Sequence, residues 1–436
     1  MSQPYLTTLL YLLPVIFALT LYYRRHRKKE THFQARLAET VKSGIPEPLT
    51  LHPIIDTNKC LGSSACVKAC PEQALGIVRG KATLVQPDHC IGHGACQAAC
   101  PVEAIQLVFG TEKRGIDIPQ LKPTFETNVS GIYIAGELGG MGLIRKGIDQ
   151  GARAIQTIRK NKSKGSELDV VIVGAGPAGI SASLAAKEAG LRSVTIEQED
   201  SLGGAIFHYP RRKLAMTAPM TLPIVGKFNK LEISKEELLA FWSRITRDHD
   251  IKINFSERMD AITNTGNGFL VKTSKNSYKT KNVLLAIGRR GTPRKLGVAG
   301  EEQAKVVYRL IDAEQYRGMH VLVVGGGDSA AEAALAIAAE RGTTVAISCR
   351  GDDIFTRPKD KNRPQLKHSV EKQRITVYLE TSVKEIGPDT VTLSHEGKDI
   401  ELKNDGVIVC AGGTLPTPML KEIGVMVDTY YGTAVA

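Results

Sequence analysis

The sequence has little to stack with. Of 436 residues only 5% are aromatic, and Trp242 is the one tryptophan. Acidic residues also run short, 45 against 57 lysines and arginines, which leaves a formal charge of +12. Without aromatic platforms or a recognition motif, that charge does not indicate nucleic acid, and no nucleic-acid partner is expected. An acidic redox partner or a membrane surface accounts for it more economically. Cysteine is scarce as well: there are eight, six of them between positions 60 and 100. Such clustering in a large chain argues against a disulfide framework and for metal binding. The length suits two or three domains, and 42% hydrophobic and 23% charged residues are ordinary for a globular protein.

The six clustered cysteines form an internal repeat. Cys60, Cys66, Cys70 and Pro71 recur at the same spacing as Cys90, Cys96, Cys100 and Pro101. Two-cluster bacterial ferredoxins use C-x2-C-x2-C-x3-C-P, with the last cysteine crossing to the other cluster. The stretch resembles such a ferredoxin in which each second cysteine is replaced, by Ser63 and by His93. The resemblance implies two 4Fe-4S or 3Fe-4S clusters, one on Cys60, Cys66 and Cys100 and the other on Cys90, Cys96 and Cys70. The fourth ligand is then Ser63 or His93, or the fourth iron is missing. Zinc on Cys90, His93, Cys96 and Cys100 is the alternative, but it gives no reason for the duplicated crossover spacing. GIVRGKATLVQP between the two loops reads as a small hairpin.

Ahead of the repeat, Leu6 to Tyr23 is an uncharged apolar run, followed by RRHRKK. Its length and the charge order predict a single transmembrane helix with the bulk of the protein on the cytoplasmic side of the cell membrane. Thr31 to Lys42 reads as a polar helix, and Ile45 to Pro53 as a stiff linker.

Two nucleotide fingerprints follow. DVVIVGAGPAGISASLAAKEAG carries Gly174, Gly176 and Gly179 between a strand and a helix, and Glu197 ends the next strand. Glycines for the turn and the close approach to pyrophosphate, with a carboxylate for ribose hydroxyls, predict dinucleotide binding. The second copy has Gly325, Gly327 and Ala330, but Ser348 stands where Glu197 stood. With Arg350 and Arg357 nearby, a missing acid fits a 2′-phosphate, so NADPH is preferred over NADH. Cys349 and Cys410 read as inert thiols at strand ends.

TNVSGIYIAGELGGMGLIRKGIDQGARAIQTI, ahead of the first fingerprint, resembles the final flavin-domain segment of thioredoxin-reductase-like flavoproteins. Its position implies a circular permutation. Gly136 and Glu137 then face the flavin, with Gly203 and Gly204 of LGGAIFHYP on its path, and a helix begins near Gln150. VVYRLIDAEQYRG and FTRPKDKNRPQL are similar to bacillithiol-disulfide-reductase-like members. Those enzymes carry a cysteine where this chain has Ala178, and no C-x-x-C pair occurs, so dithiol chemistry is not expected. No side chain is assigned a catalytic role, because hydride exchange between nicotinamide and flavin needs position rather than acid–base help.

The expected fold is α/β: tandem Rossmann-like FAD and NAD(P) domains, an N-terminal α+β ferredoxin domain and a transmembrane helix. The divisions are 1–30 anchor, 31–53 linker, 54–110 ferredoxin, 111–165 permuted flavin segment, 166–300 FAD domain, 301–400 NAD(P) domain and 401–436 return to the FAD domain. The expected activity moves electrons from NAD(P)H through FAD and the clusters to a membrane carrier or electron-transfer protein. Flow in the opposite direction, as in a ferredoxin–NAD(P)+ reductase, and a redox sensor are the alternatives. A homodimer is left open.

Overall fold

A computed structural model describes residues 3–42, 51–112, 115–140, 142–160, 167–209, 214–217, 219–289, 291–355, 358 and 362–434. The chain divides into two compact units, Met1–Gly115 with Tyr431–Ala436, and Ile116–Tyr430.

In the first unit the strands His52–Ile55 and Ile105–Phe109 pair antiparallel, and Thr433–Ala434 at the far end of the chain adds a third strand beside Ile105–Phe109. GIVRGKATLVQP does form a hairpin, Leu75–Val78 against Lys81–Leu84. The cysteine loops lead into two short helices, Ala65–Ala69 and Ala95–Ala98. Cys60, Cys66 and Cys96 are buried among Leu75, Ile77, Ala82, Ala104 and Ile105, so the thiols are part of the core that holds the unit together.

The N-terminal region is one helix, Gln3–Lys42, with Pro14 inside it. Among the described residues no helix is long and apolar enough to cross a membrane. This overturns the expected transmembrane helix, and with it the lipid partner and the cell-membrane location. The basic run after Tyr23 is not the flank that ends a span but the middle of a continuous helix whose second half is seated on the hairpin. Glu30 accepts from the Arg79 N–H at 2.8 Å, Arg36 donates to Gln86 Oε1 at 2.8 Å, and Thr40 Oγ1 donates to the Val85 carbonyl at 2.8 Å. Phe33 fills the space beside Gly76, where a Cβ would come within 2.6 Å of its ring.

In the second unit the strands Ile253–Asn254, Ser193–Ile196, Leu168–Val173 and Ser277–Leu285 lie side by side in that order, all parallel. Apolar strands buried on both faces require covering layers. One face is closed by helices Pro177–Glu188 and Ile144–Lys160 through Ala178, Ala182, Ile155 and Ile158. The other takes Leu138, Phe269, Leu420 and Val425. The permuted strand Ile132–Ile134 joins this sheet, pairing parallel with Ser277–Leu285 in the register Val283 to Ile132. A strand that precedes the first fingerprint in sequence thus lies outermost among the parallel strands of its sheet, which continues on antiparallel strands Phe269–Thr273 and Met259–Asn264.

A second parallel sheet has the order Val306–Val307, Gly406–Val409, His320–Val324, Thr344–Ser348, Ile375–Tyr378. Helix Asp328–Ala338 covers one face with alanines. The antiparallel strands Ser382–Ile386, Thr390–His395 and Lys398–Lys403 cover the other through Val391 and Leu393. A two-stranded link, Thr292–Pro293 with Gly413–Thr414, joins the two sheets. Beyond it, Val427–Tyr430 pairs with Ile116–Pro119.

Candidate functional site

The first glycine loop shows why each small residue is there. Gly174 has φ +107°, and a Cβ on it would sit 2.6 Å from the Ala286 carbonyl oxygen. At Gly179 a Cβ would overlap the Gly174 carbonyl oxygen, so the loop and helix Pro177–Glu188 close up only with glycine. Gly176 differs: its nearest neighbour is the Cα of Gly204 at 3.9 Å, which leaves room beside the helix N-terminus. That terminus, with its unpaired N–H groups and positive dipole end, is an anion site in the making.

Glu197 is buried under this loop. Its carboxylate accepts from the Ala175 N–H at 2.6 Å and the Glu199 N–H at 3.1 Å. Burial pushes its pKa above the ordinary carboxylate value despite those hydrogen bonds. Gly203 donates to the Ala175 carbonyl at 2.9 Å, and Gly203 and Gly204 take φ of +113° and +53°. The loop carrying them lies directly against Ala175 and Gly176. Next to it Ser201 Oγ is buried with no hydrogen-bond partner among the described residues. A cradle of glycines, a helix N-terminus and an orphan hydroxyl fit a bound dinucleotide.

The permuted segment packs onto the same helix. Gly136, φ +88°, lies where a Cβ would be 3.2 Å from the Ala178 Cβ. Gly147 and Gly151 seat helix Ile144–Lys160 on Ala178, and Ser181 Oγ donates to the Ile148 carbonyl at 2.8 Å. The helix starts at Ile144, six residues before the expected Gln150, and this frees Gln150 for another task. Its side-chain oxygen accepts from the Gly136 N–H at 2.8 Å and so fixes the turn. Sequence reasoning missed that contact, and no motif marks it. Glu137 is half-buried, with its carboxyl carbon 3.6 Å from where a Gly142 Cβ would be.

In the second glycine loop Gly325 has φ +141° and lies against Cys410, while a Cβ on Gly327 would meet nothing within 4 Å. Ala330 is fully buried and fits where Gly179 has no room for a methyl. Ser348 is also buried, its hydroxyl paired with Thr381 Oγ1 at 2.8 Å. Arg350 is exposed two residues on, and Arg357 lies outside the described residues. Cys349 is buried against Gly326, and burial pushes the Cys410 thiol up to about 11, as befits inert thiols.

In the first unit Cys70, Cys90, Cys96 and His93 line a single small cavity of about 20 Å³, together with Pro53, Leu75 and Leu107. The last cysteine of the first loop therefore meets the first two of the second. Burial, and then the neighbouring Cys90 and Cys70, pushes Cys96 up to about 11, and burial likewise raises Cys90 and Cys66. Thiols crowded into an apolar site resist ionisation unless a cationic centre takes their charge. Among the described residues no three such side chains close around a single metal ion. On the other side, Cys60 Sγ accepts from the Ala82 N–H at 3.4 Å and Cys100 Sγ from the Ala104 N–H at 3.3 Å.

Comparison with known proteins agrees with this assembly. The family model for pyridine nucleotide-disulphide oxidoreductases matches residues 171–433, and the chain belongs to that family. A 4Fe-4S dicluster domain model matches residues 52–101. The protein is thus an FAD-dependent oxidoreductase that carries a ferredoxin domain. Bacilliredoxin reductase Bdr of Bacillus subtilis is 28% identical over 267 residues, covering 60% of this chain and 82% of that protein. A ferredoxin–NADP reductase of Sulfurisphaera tokodaii is 32% identical over 261 residues, covering 57% of this chain and 73% of that one. The solved bacillithiol disulfide reductase of Staphylococcus aureus is 25% identical, covers 61% of this chain and 82% of its own, and superposes with a TM-score of 0.48.

Proposed function

We propose that the protein is an NAD(P)H-dependent reductase that releases electrons singly, through its ferredoxin domain, to an electron-transfer protein. One observation carries this reading: the same chain builds a dinucleotide cradle around Gly174, Gly176 and Gly179 and a cavity that gathers Cys70, Cys90 and Cys96. Bound flavin would supply the conversion of a two-electron donor into one-electron steps.

We assign the flavin pyrophosphate to the first glycine loop, with Glu197 on the ribose and Gly136, Glu137, Gly203 and Gly204 along the ring system. The nicotinamide nucleotide goes to Gly325, Gly327 and Ala330. Arg350 and Arg357 are assigned to a 2′-phosphate, which makes NADPH the preferred donor; the buried hydroxyl of Ser348 supports this, because no carboxylate stands there to repel phosphate. The clusters are assigned crosswise to the six cysteines, with His93 at the second site. Thiol–disulfide exchange is excluded from the proposal because the chain has no C-x-x-C pair and has Ala178 beside Gly179.

Anaerobic titration with NADPH tests it. The flavin absorbance should bleach first, cluster EPR signals should follow, and a one-electron acceptor should then turn over repeatedly. Bleaching without any change in the clusters would refute the route. The Sulfurisphaera tokodaii relative, a ferredoxin–NADP reductase, favours a second reading in which electrons run toward NADP+. Cluster potentials well above the nicotinamide couple would exclude that direction.

A further inference from the structure

The two cysteine loops share a backbone but use differently the position where a ferredoxin carries its second cysteine. Gly62 and Gly92 have φ of +68° and +77°, and Ser64 and Gly94 have φ of +60° and +76°. Ser63 and His93 therefore leave the chain at matched points, each between two left-handed residues, just before the helices Ala65–Ala69 and Ala95–Ala98. Their surroundings diverge. His93 is half-buried and lines the cavity with Cys70, Cys90 and Cys96. Ser63 is exposed, its hydroxyl oxygen 3.5 Å from the Ala65 N–H that donates to it, next to Leu61, which is 73% exposed. An imidazole reaches further than a hydroxymethyl group and is much the better iron donor at neutral pH.

We propose that the two clusters are inequivalent, resting on the ferredoxin-domain reading above. The cluster on Cys70, Cys90 and Cys96 takes its fourth ligand from the His93 imidazole. The cluster on Cys60, Cys66 and Cys100 has one iron without a side-chain ligand, open to a small monodentate donor such as water, hydroxide or a low-molecular-weight thiolate. Two of its three sulfurs are already fixed by N–H donors, from Ala82 and Ala104, so its cage lacks only the fourth corner. The neutral imidazole in place of a thiolate raises the potential of the second cluster. The chain thereby gains an electron sink at one cluster and a ligand-responsive iron at the other.

Mild ferricyanide oxidation of the anaerobically loaded full-length protein tests this. Each open cluster passes one electron to ferricyanide, and its 4Fe-4S core of charge 2+ releases Fe2+ to leave a 3Fe-4S core of charge 1+. Wild type should lose one iron per chain, with a 3Fe EPR signal of one spin per chain, reversed by Fe2+ and dithionite. Ser63→Cys should abolish the loss and His93→Ala should double it. Hyperfine coupling to 15N-histidine in the reduced protein should persist in Ser63→Cys and vanish in His93→Cys. Loss of two irons per chain from wild type, loss of none, or absence of histidine coupling overturns the proposal. Protein that keeps flavin but binds neither iron nor sulfide overturns the ferredoxin-domain reading along with it, whereas bound clusters with symmetric iron loss overturn only the inequivalence.

Discussion

The two glycine loops of the second unit follow one plan, yet they spend their small residues differently. In the first, Gly179 is demanded by the protein itself, because any side chain would overlap the Gly174 carbonyl. In the second, the same position holds a methyl, Ala330, with no loss of burial. Only the middle glycines, Gly176 and Gly327, face open space in both. The comparison separates two reasons for a glycine that a motif merges: the middle one leaves room for a ligand, and the third one lets a helix approach a strand. The strand ends differ in the same way. Glu197 holds the loop through the Ala175 N–H, whereas Ser348 is tied to Thr381 and leaves that edge to Arg350.

The sharpest test of that contrast is a matched pair of substitutions. Gly179→Ala places a Cβ against a carbonyl that cannot retreat, since Gly174 is itself pressed on Ala286. Overpacking of that kind costs up to about 3 kcal/mol and should strip flavin from the purified protein. Ala330→Gly loses only helix propensity and a methyl contact, about 1 kcal/mol. Thermal unfolding followed by flavin fluorescence reads both. Equal destabilisation would show that the two loops do not differ as described.

Glu197→Ala comes next. It leaves two backbone N–H groups without their acceptor, at a cost of roughly 1–3 kcal/mol, or about 10- to 100-fold in FAD affinity. Its counterpart, Ser348→Ala, should lower stability by about 1 kcal/mol while leaving the KM for nicotinamide unchanged, because that hydroxyl serves Thr381. Reconstitution of flavin-free protein and steady-state kinetics check the two in turn.

Much of this was legible from local pattern. The strand–turn–helix form of the fingerprints and the hairpin between the cysteine loops depend on residues close in sequence, and each took the expected form. The strand Ile132–Ile134 pairs in the sheet of the first fingerprint although it precedes that fingerprint in sequence. What escaped were contacts between distant residues. The pairing of Thr433–Ala434 with Ile105–Phe109 joins segments far apart in sequence. The Ser348–Thr381 pair joins the end of strand Thr344–Ser348 to the residue before strand Ser382–Ile386. Helix Ile144–Lys160 begins inside a glycine-rich run that propensity reads as loop. The N-terminal run misled for a related reason: apolar length was visible, but the seating of Phe33, Arg36 and Thr40 on the hairpin was not.

Arg350 sharpens the comparison from the ligand's side. It is exposed at the end of Thr344–Ser348, where the first half has acid instead. Arg350→Ala should raise the KM for NADPH about tenfold, equivalent to about 1.4 kcal/mol, and leave that for NADH unchanged. Equal effects on both cofactors would remove the 2′-phosphate from the argument.

The smallest effect is one of pH, and it follows from the carboxylate that only the first half owns. Burial raises the pKa of Glu197 above its unfolded value, with Glu199 as a further like charge beside it. The folded state then binds this proton more tightly than the unfolded state, so stability falls as pH rises through the unfolded pKa and on through the folded one. For one proton the slope cannot exceed about 1.4 kcal/mol per pH unit. Glu257 pulls the other way. It is buried but accepts from Thr273, Asn276 and Tyr278, which hold its pKa below the ordinary value, so its contribution is lost as pH falls. The informative quantity is therefore the difference between wild type and Glu197→Gln, taken from urea midpoints of flavin-free protein across the acid range. The variant should gain stability relative to wild type as pH rises, and a difference that stays flat would mean that Glu197 is no more costly to ionise when folded than when unfolded.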